Sequence, residues 1–173
     1  MGNRISRQTM PAVLVAGLEG SGKTTLISIK DQPERTLGTE IVEKALISNL
    51  RKLSLWDVSG NEALRPIWPA HYKNVRFNAV MFVVDASDER LFEESKEELH
   101  ILTNEEELRD TVFIVIFNTK GANNVPTLEH LKHVFGFDKF HTSVRIEGFL
   151  IDVKRYDRHT HEAFTWLYNN LDP

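Results

Sequence analysis

The sequence predicts an α/β fold in which a mostly parallel sheet of six strands lies between two layers of helices. Three apolar runs support this prediction, at residues 13–15, 79–84 and 112–117. Strands that are buried on both faces read as continuous apolar runs, and these runs do not alternate with polar residues. Segments with helical spacing follow them, and strands that alternate with helices are typical of a parallel sheet covered on both sides.

Apolar stripes at helical spacing predict helices along the second half of the chain. The stripes consist of Phe92, Leu99 and Leu102, of Leu128, Leu131 and Phe135, and of Ala163, Phe164, Leu167 and Leu171. Gly136 is expected to end the second of these helices. A short final strand is predicted at residues 149–151.

Residues 40–56 interrupt the alternation of strands and helices. This stretch has room for two strands but no helix, and Ser48 and Asn49 form a plausible turn between them. We therefore expect an antiparallel hairpin at one edge of the sheet.

Composition limits the class of protein. A chain of 173 residues fits one domain, which we place at residues 11–173 after a flexible segment at residues 1–10. The formal net charge of −4 and the lack of a Lys/Arg block argue against nucleic acid as a partner. The chain has no cysteine, which excludes disulfides and thiolate chemistry. With no signal-peptide pattern and no apolar run long enough to span a bilayer, we expect a cytoplasmic protein.

The first six residues match the pattern for an N-myristoyl group on Gly2, with Ser6 at the expected spacing. A single acyl chain anchors a protein only marginally. The pattern therefore predicts reversible, peripheral association with a membrane.

A glycine-rich motif at residues 17–24 predicts a phosphate-binding loop, because an apolar strand precedes it and a helical segment follows. In such a loop the backbone N–H groups surround a phosphate, Lys23 reaches the outer phosphates, and the Thr24 hydroxyl can bind Mg²⁺. The predicted nucleotide contacts here are Gly17, Leu18, Glu19, Gly20, Ser21, Gly22, Lys23, Thr24 and Thr25.

Three further positions suit a nucleotide switch. Asp57 ends a strand, where a carboxylate can hold Mg²⁺ through water. Gly60 follows, and its N–H could sense a terminal phosphate. Thr36 offers a hydroxyl that can complete the Mg²⁺ shell only when the third phosphate is present, so its loop would order and disorder with the ligand. The predicted metal site is therefore Thr24, Thr36 and Asp57.

Taken together, these motifs resemble the small GTPases of the ADP-ribosylation factor family, Arf and Arf-like proteins, as a divergent member. The resemblance covers nearly the whole chain and includes the phosphate loop, residues 36–38, 56–60, 65–68, 71–72 and 83–85, and Trp166-Leu167. It implies a Ras-like P-loop fold, GTP and GDP as ligands with Mg²⁺, and a role in membrane traffic on an endomembrane. It also implies that effectors, exchange factors and activating proteins bind residues 36–72, with Trp56 and Tyr72 in an aromatic patch.

Two departures from the family pattern concern base recognition and hydrolysis. Relatives read guanine with Asn-Lys-x-Asp, whereas this chain has Asn118-Thr119-Lys120-Gly121, where Asn118 remains and Lys120 stands one place late to cover the base. The water-orienting Gln of the family is Asn61, one methylene shorter. With Asn61, Gly60 and Lys23 as the catalytic positions, we expect a slow GTPase at most. The alternative is a pseudo-GTPase interaction module with lost or relaxed guanine specificity.

A further departure from the family pattern is Pro69, with an extra residue before His71. Pro69 is expected to disturb the helix that follows it.

Overall fold

The computed structural model describes residues 10–27, 39–44 and 52–171, with the backbone alone for residues 39–44. Strands and helices alternate along most of this length. The strands are β1 (Ala12–Ala16), β2 (Thr39–Lys44), β3 (Leu53–Val58), β4 (Ala79–Asp85), β5 (Val112–Asn118) and β6 (Arg145–Ile151). The helices are α1 (Lys23–Ile27), α2 (Trp68–Tyr72), α3 (Phe92–Thr103), α4 (Leu128–Val134) and α5 (Arg158–Asn170).

The described strands form one six-stranded sheet in the order β2-β3-β1-β4-β5-β6. β2 pairs antiparallel with β3, while all the other neighbours are parallel. The predicted fold class and the edge hairpin strands are confirmed. The predicted hairpin turn at Ser48 and Asn49 lies outside the described residues.

Helices cover both faces of this sheet. Val13 and Val15 of β1 point to the face where Leu26 of α1 and Phe164 and Leu167 of α5 are buried. Alternate residues of the same strand, including Leu14, pack on the other face against α2, α3 and α4. Successive side chains of each central strand point to opposite faces of the sheet, and a layer of helices covers each face. The central strands are therefore completely buried, as the continuous apolar runs predicted.

The last strand is longer than the sequence indicated. β6 runs over seven residues, from Arg145 beside Val112 to Ile151 beside Asn118, and not only over residues 149–151. It lies at the edge of the sheet and is only partly buried. An edge strand with one partner does not require a continuous apolar run, so its first half carries no strong sequence signal.

The expectation that Pro69 disturbs the next helix is wrong. A 3₁₀ turn at Arg65–Ile67 leads into α2, and Pro69 lies in the first turn of that helix. The first backbone N–H groups of a helix have no intrahelical partner, so a residue without an N–H is accommodated there.

Four loops follow the carboxyl ends of the strands and meet at one end of the sheet. Residues 17–22 follow β1, residues 59–64 follow β3, residues 119–122 follow β5 and residues 152–157 follow β6. None of the helices in the described ranges has the length and apolar character needed to cross a bilayer.

Candidate functional site

The loop between β1 and α1 has the conformation of a phosphate cradle. Gly17, Gly20 and Gly22 all have positive φ angles, of 139°, 75° and 104°. A Cβ atom on residue 22 would lie 2.4 Å from Nδ2 of Asn118, so only glycine fits there. Ser21 Oγ is buried and has no hydrogen-bond partner among the residues that the structure describes. A polar atom of this kind suits a loop that receives a polar ligand.

Lys23 turns back over this loop. Its side chain is buried, and Nζ donates hydrogen bonds to the carbonyl oxygens of Gly17 at 2.9 Å and Leu18 at 2.8 Å. Burial lowers the pKa of Lys23 to about 8, against the opposite effect of the nearby Asp57 and Glu19 carboxylates. The ammonium group is thus already held at the phosphate loop, in a site that disfavours its charge until an anion arrives.

This pKa predicts how nucleotide affinity depends on pH. Phosphate groups favour the charged lysine, so binding raises its pKa and takes up a proton wherever the free protein is deprotonated. Affinity for GDP should be constant below about pH 8 and fall as pH rises above 8, by at most about tenfold per pH unit. Titration with labelled GDP from pH 6.5 to 9.5 measures this change.

The control for the pH series is Lys23→Arg, because a guanidinium stays charged throughout this range. Its affinity, whatever the absolute value, should not decline between pH 8 and 9.5. An equal decline in both proteins would show that another group titrates.

Thr24 and Asp57 bring two oxygen ligands together. Thr24 Oγ1 donates a hydrogen bond to Asp57 Oδ2 at 2.6 Å, and Asp57 is fully buried. Hydroxyl and carboxylate oxygens are the protein ligands that Mg²⁺ prefers, and it usually keeps several waters and substrate phosphates as its other ligands. The pair fits Mg²⁺ beside a phosphate loop. The third predicted ligand, Thr36, lies outside the described residues, as does Gly2.

Gly60 is pressed against the phosphate loop. Its carbonyl oxygen accepts a hydrogen bond from the N–H of Glu19 at 3.0 Å. A Cβ atom on residue 60 would lie 2.4 Å from the carbonyl oxygen of Gly17 and the carbonyl carbon of Leu18. Because backbone atoms cannot move aside as a flexible side chain can, this close approach requires glycine. The segment that contains Gly60 is therefore in direct contact with the predicted phosphate-binding loop.

The side chain of Asn61 is engaged on both of its polar atoms. Nδ2 donates to Glu19 Oε2 at 3.0 Å, and Oδ1 accepts from the N–H of Ala63 at 3.0 Å. The backbone carbonyl of Asn61 also accepts hydrogen bonds from Leu64 and Arg65. In this conformation Asn61 caps the turn that leads into α2.

An ion-pair cluster around Arg65 was not anticipated from the sequence. Its guanidinium contacts Glu94 at 2.6 Å and Glu98 at 3.0 Å on α3, and Nε donates to the carbonyl oxygen of Gly60 at 3.1 Å. The Arg65 side chain is 12% exposed. The cluster attaches the segment after β3 to α3. The sequence gives no local sign of this cluster, because Arg65 is about 30 residues from the two glutamates.

Asn118 joins three segments at the other end of the site. It is 1% exposed, and Nδ2 donates to the carbonyl oxygen of Ser21 at 2.9 Å. Its Oδ1 accepts hydrogen bonds from the N–H groups of Lys120 at 3.0 Å and Val153 at 3.3 Å. Asn118 thus holds three loops in a fixed arrangement: the phosphate loop, the β5–α4 loop and the β6–α5 loop.

Lys120 reaches the end of β4. Its backbone lies in the left-handed region, with φ 51°, and Nζ pairs with Oδ2 of Asp85 at 2.5 Å. Asp85 Oδ1 in turn accepts hydrogen bonds from the Ser87 N–H and hydroxyl. The Lys120 side chain, which stands one place late in the sequence, is thereby directed toward the carboxyl end of β4.

The aromatic residues implied as a partner surface are largely covered. Tyr72 is buried, and Trp56 is half-buried with its ring packed edge-on against Phe77 and His71. Residues 36–38 and 45–51 of the implied partner segment lie outside the described residues.

Comparison with known proteins decides the family. The chain matches the model of the ADP-ribosylation factor family over residues 3–171. It belongs to the ADP-ribosylation factor family. This family member is 32% identical over 172 residues to ADP-ribosylation factor-like protein 1 of Drosophila melanogaster, covering 92% of this chain and 88% of that protein. The resemblance inferred from the sequence motifs is confirmed, and with it a GTP-binding small GTPase of the Arf-like type.

A solved structure supports the fold. The chain superposes on the Arl6 BBS3 small GTPase from Trypanosoma brucei, solved with the nucleotide analogue GppNp, with a TM-score of 0.81. The match covers 94% of this chain and 98% of that one at 24% identity. The Ras-like P-loop architecture is confirmed.

Proposed function

We propose that this Arf-family protein is a switch that binds GTP and GDP with Mg²⁺ and hydrolyses GTP slowly without a helper protein. The observation that carries the proposal is the group formed by Lys23, Thr24 and Asp57 at the phosphate loop. An ammonium group, a hydroxyl and a carboxylate at this spacing serve the phosphates and their metal ion, whichever base is attached.

Each residue then has a role in binding. Lys23 exchanges its two backbone partners for phosphate oxygens, since an ammonium group is satisfied by either. The backbone from Gly17 to Thr25 surrounds the phosphates, and Asn118 and Lys120 border the nucleoside. Mg²⁺, held by Thr24 and, through water, by Asp57, would neutralise the charge of the phosphates when bound. Thr36 is proposed as the hydroxyl that joins this shell in the GTP state.

Slow hydrolysis is proposed from the position of Asn61. Catalysis in this reaction class depends on placing the attacking water, and a displacement of about 1 Å can cost about a hundredfold in rate. The Asn61 amide is both shorter than the glutamine of relatives and occupied by Glu19 and Ala63. The contact between Gly60 and Glu19 uses the Gly60 carbonyl oxygen, so the Gly60 N–H is proposed as the group that senses a terminal phosphate.

Asn61→Gln should therefore raise single-turnover GTP hydrolysis about tenfold or more, because the longer side chain can reach a water beside the phosphate. Asn61→Ala should leave the rate within about threefold of the natural protein. The measurement is phosphate release from preloaded GTP with Mg²⁺. A large loss of activity in Asn61→Ala would mean that Asn61 already positions the water.

The membrane role rests on the N-terminal pattern. We propose that residues 1–10 carry a myristoyl group on Gly2 and attach the domain at residues 11–173 reversibly to an endomembrane, in membrane traffic. Effector, exchange-factor and activating proteins would contact residues 36–72. Flotation of acylated protein and of Gly2→Ala with liposomes, in GDP and in GTP, tests the attachment. Equal flotation of both proteins would refute it.

The decisive experiment for the switch is identification of the nucleotide released from the purified protein. We expect GDP or GTP, released faster when EDTA removes Mg²⁺. A protein that carries no nucleotide and binds neither GTP nor GDP at micromolar levels would be a pseudo-GTPase. Equal competition by GTP and ATP for a labelled nucleotide would establish relaxed base choice.

A further inference from the structure

Two loops lie beside the phosphate loop at the carboxyl end of the sheet, joined to it through Asn118. The N–H of Thr119 donates to the carbonyl oxygen of Ile151 at 2.8 Å, and Asn118 accepts from the N–H of Val153. The β5–α4 and β6–α5 loops are therefore held side by side where the sheet ends. A nucleoside bound through its phosphates at residues 17–24 would have these two loops within reach, since Asn118 contacts the phosphate loop and both of them.

The carboxylate of Asp152, in the β6–α5 loop, lies beside Gly121, which has no side chain. Gly121 has φ 76°, and a Cβ atom placed on it would lie 3.5 Å from Oδ2 of Asp152. The missing side chain at residue 121 leaves room for the carboxylate that Asp152 supplies from the neighbouring loop. Sequence reasoning about residues 118–121 alone missed this, because Asp152 is about 30 residues away.

Asp152 is held in place. Its side chain is only 14% exposed, and Oδ1 accepts a hydrogen bond from the N–H of Lys154 at 3.0 Å. Arg155 Nε lies 3.5 Å from Oδ2, on a side chain that is 76% exposed. Lys120, in the neighbouring β5–α4 loop, pairs with Asp85. The carboxylate of Asp152 is therefore positioned by the backbone of its own loop, and Arg155, its ion-pair partner, is largely exposed to solvent.

A carboxylate at this place distinguishes purine bases. The Watson–Crick edge of guanine presents two adjacent donors, N1–H and the 2-amino group, which match the two acceptor oxygens of a carboxylate. Adenine presents an acceptor at N1 and lacks the amino group at C2, so a carboxylate facing it gains neither hydrogen bond. A site built to bond a donor pair rejects a base that lacks it far more strongly than an apolar pocket rejects a wrong shape.

We propose that Asp152 is the residue that selects guanine in this protein, replacing the carboxylate that is missing at Gly121. This inference rests on the proposed nucleotide-binding function and names the base specificity of that site.

The test is Asp152→Asn, compared with the natural protein in competition assays. Labelled GDP is displaced with GDP, ADP and xanthosine diphosphate in Mg²⁺ buffer. Xanthine has a carbonyl oxygen where guanine has its amino group, so an asparagine can accept from N1–H and donate to that oxygen. The asparagine oxygen can also keep the bond from the Lys154 N–H, which preserves the loop.

The natural protein should prefer GDP over ADP by about a hundredfold or more. In Asp152→Asn the preference for GDP over xanthosine diphosphate should fall at least tenfold or reverse. The matched control is Asp110→Asn, whose side chain is 83% exposed just before β5, at the opposite edge of the sheet. This control should keep the natural preferences.

The outcomes separate the two proposals. GDP binding with the same base preferences in the natural protein and Asp152→Asn would overturn the inference and leave the nucleotide switch intact. Failure of the natural protein to bind any of the three nucleotides would overturn both. Thermal unfolding of both variants confirms that they are folded before the competition is measured.

Discussion

Replacing Lys23 with methionine is expected to weaken GDP and GTP binding by about a thousandfold. Methionine keeps much of the buried volume of the lysine stem and removes the ammonium group that faces the phosphate loop. The ammonium group removed by this substitution is buried at the phosphate loop, where it donates hydrogen bonds to the carbonyl oxygens of Gly17 and Leu18. Loss of one partner of a buried charged contact costs about 2–5 kcal/mol of binding free energy.

The fold should tolerate this change. The two hydrogen bonds to backbone carbonyls are lost, but a buried charge that opposed folding is removed as well. We expect the free energy of unfolding of the nucleotide-free protein to change by no more than about 2 kcal/mol. Titration with labelled GDP and urea unfolding measure the two effects separately.

Lys139→Met is the matched control for this substitution. Lys139 is exposed and lies in the 3₁₀ turn Phe137–Lys139, before β6 and away from the phosphate loop. The affinity of the Lys139→Met variant for GDP should stay within about twofold of that of the natural protein. An equally small loss in Lys23→Met would contradict the proposed phosphate site.

Asn118→Ala should lower the free energy of unfolding by about 3 kcal/mol, since three hydrogen bonds to backbone groups are lost, two of them buried and one partly buried. The same change should weaken GDP binding at least tenfold, because Asn118 positions the phosphate loop against the β5–α4 and β6–α5 loops. Urea unfolding of the nucleotide-free protein measures the first effect, and labelled GDP measures the second.

Asn124→Ala serves as the comparison, because Asn124 is exposed in the same β5–α4 loop. Its effect on unfolding should be within about 0.5 kcal/mol. A loss below about 1 kcal/mol in Asn118→Ala would mean that solvent replaces the three bonds, and that the loops do not depend on this side chain.

Much of the fold was predictable because its signals are local. The continuous apolar runs at β4 and β5 correspond to strands that are buried along their whole length, and the glycine pattern after β1 corresponds to a loop with three positive φ angles. The partly buried edge strand β6 was predicted too short, since its pattern lacks a continuous apolar run.

The candidate site was predictable only in part. Lys23, Thr24 and Asp57 came from motifs whose spacing reflects a shared chemistry, and the structure brings Thr24 and Asp57 within 2.6 Å. The attachment of Arg65 to Glu94 and Glu98 could not be read from the chain, because the partners are separated by about 30 residues. The same holds for the pairing of Lys120 with Asp85.

Local patterns in the chain were therefore sufficient to predict the family, the sheet and the phosphate end of the candidate site. The backbone conformation of the glycine loop depends on residues that are adjacent in the chain. A strand buried on both faces likewise shows as consecutive apolar residues, so both features can be predicted from the sequence. The environment that we propose for the base depends on contacts between residues far apart in the chain. The tertiary structure places Asp152 beside Gly121, across two loops that meet only because β5 and β6 are adjacent in the sheet. Residues 118–121 alone suggested a missing carboxylate, whereas the folded chain supplies one from a neighbouring strand end.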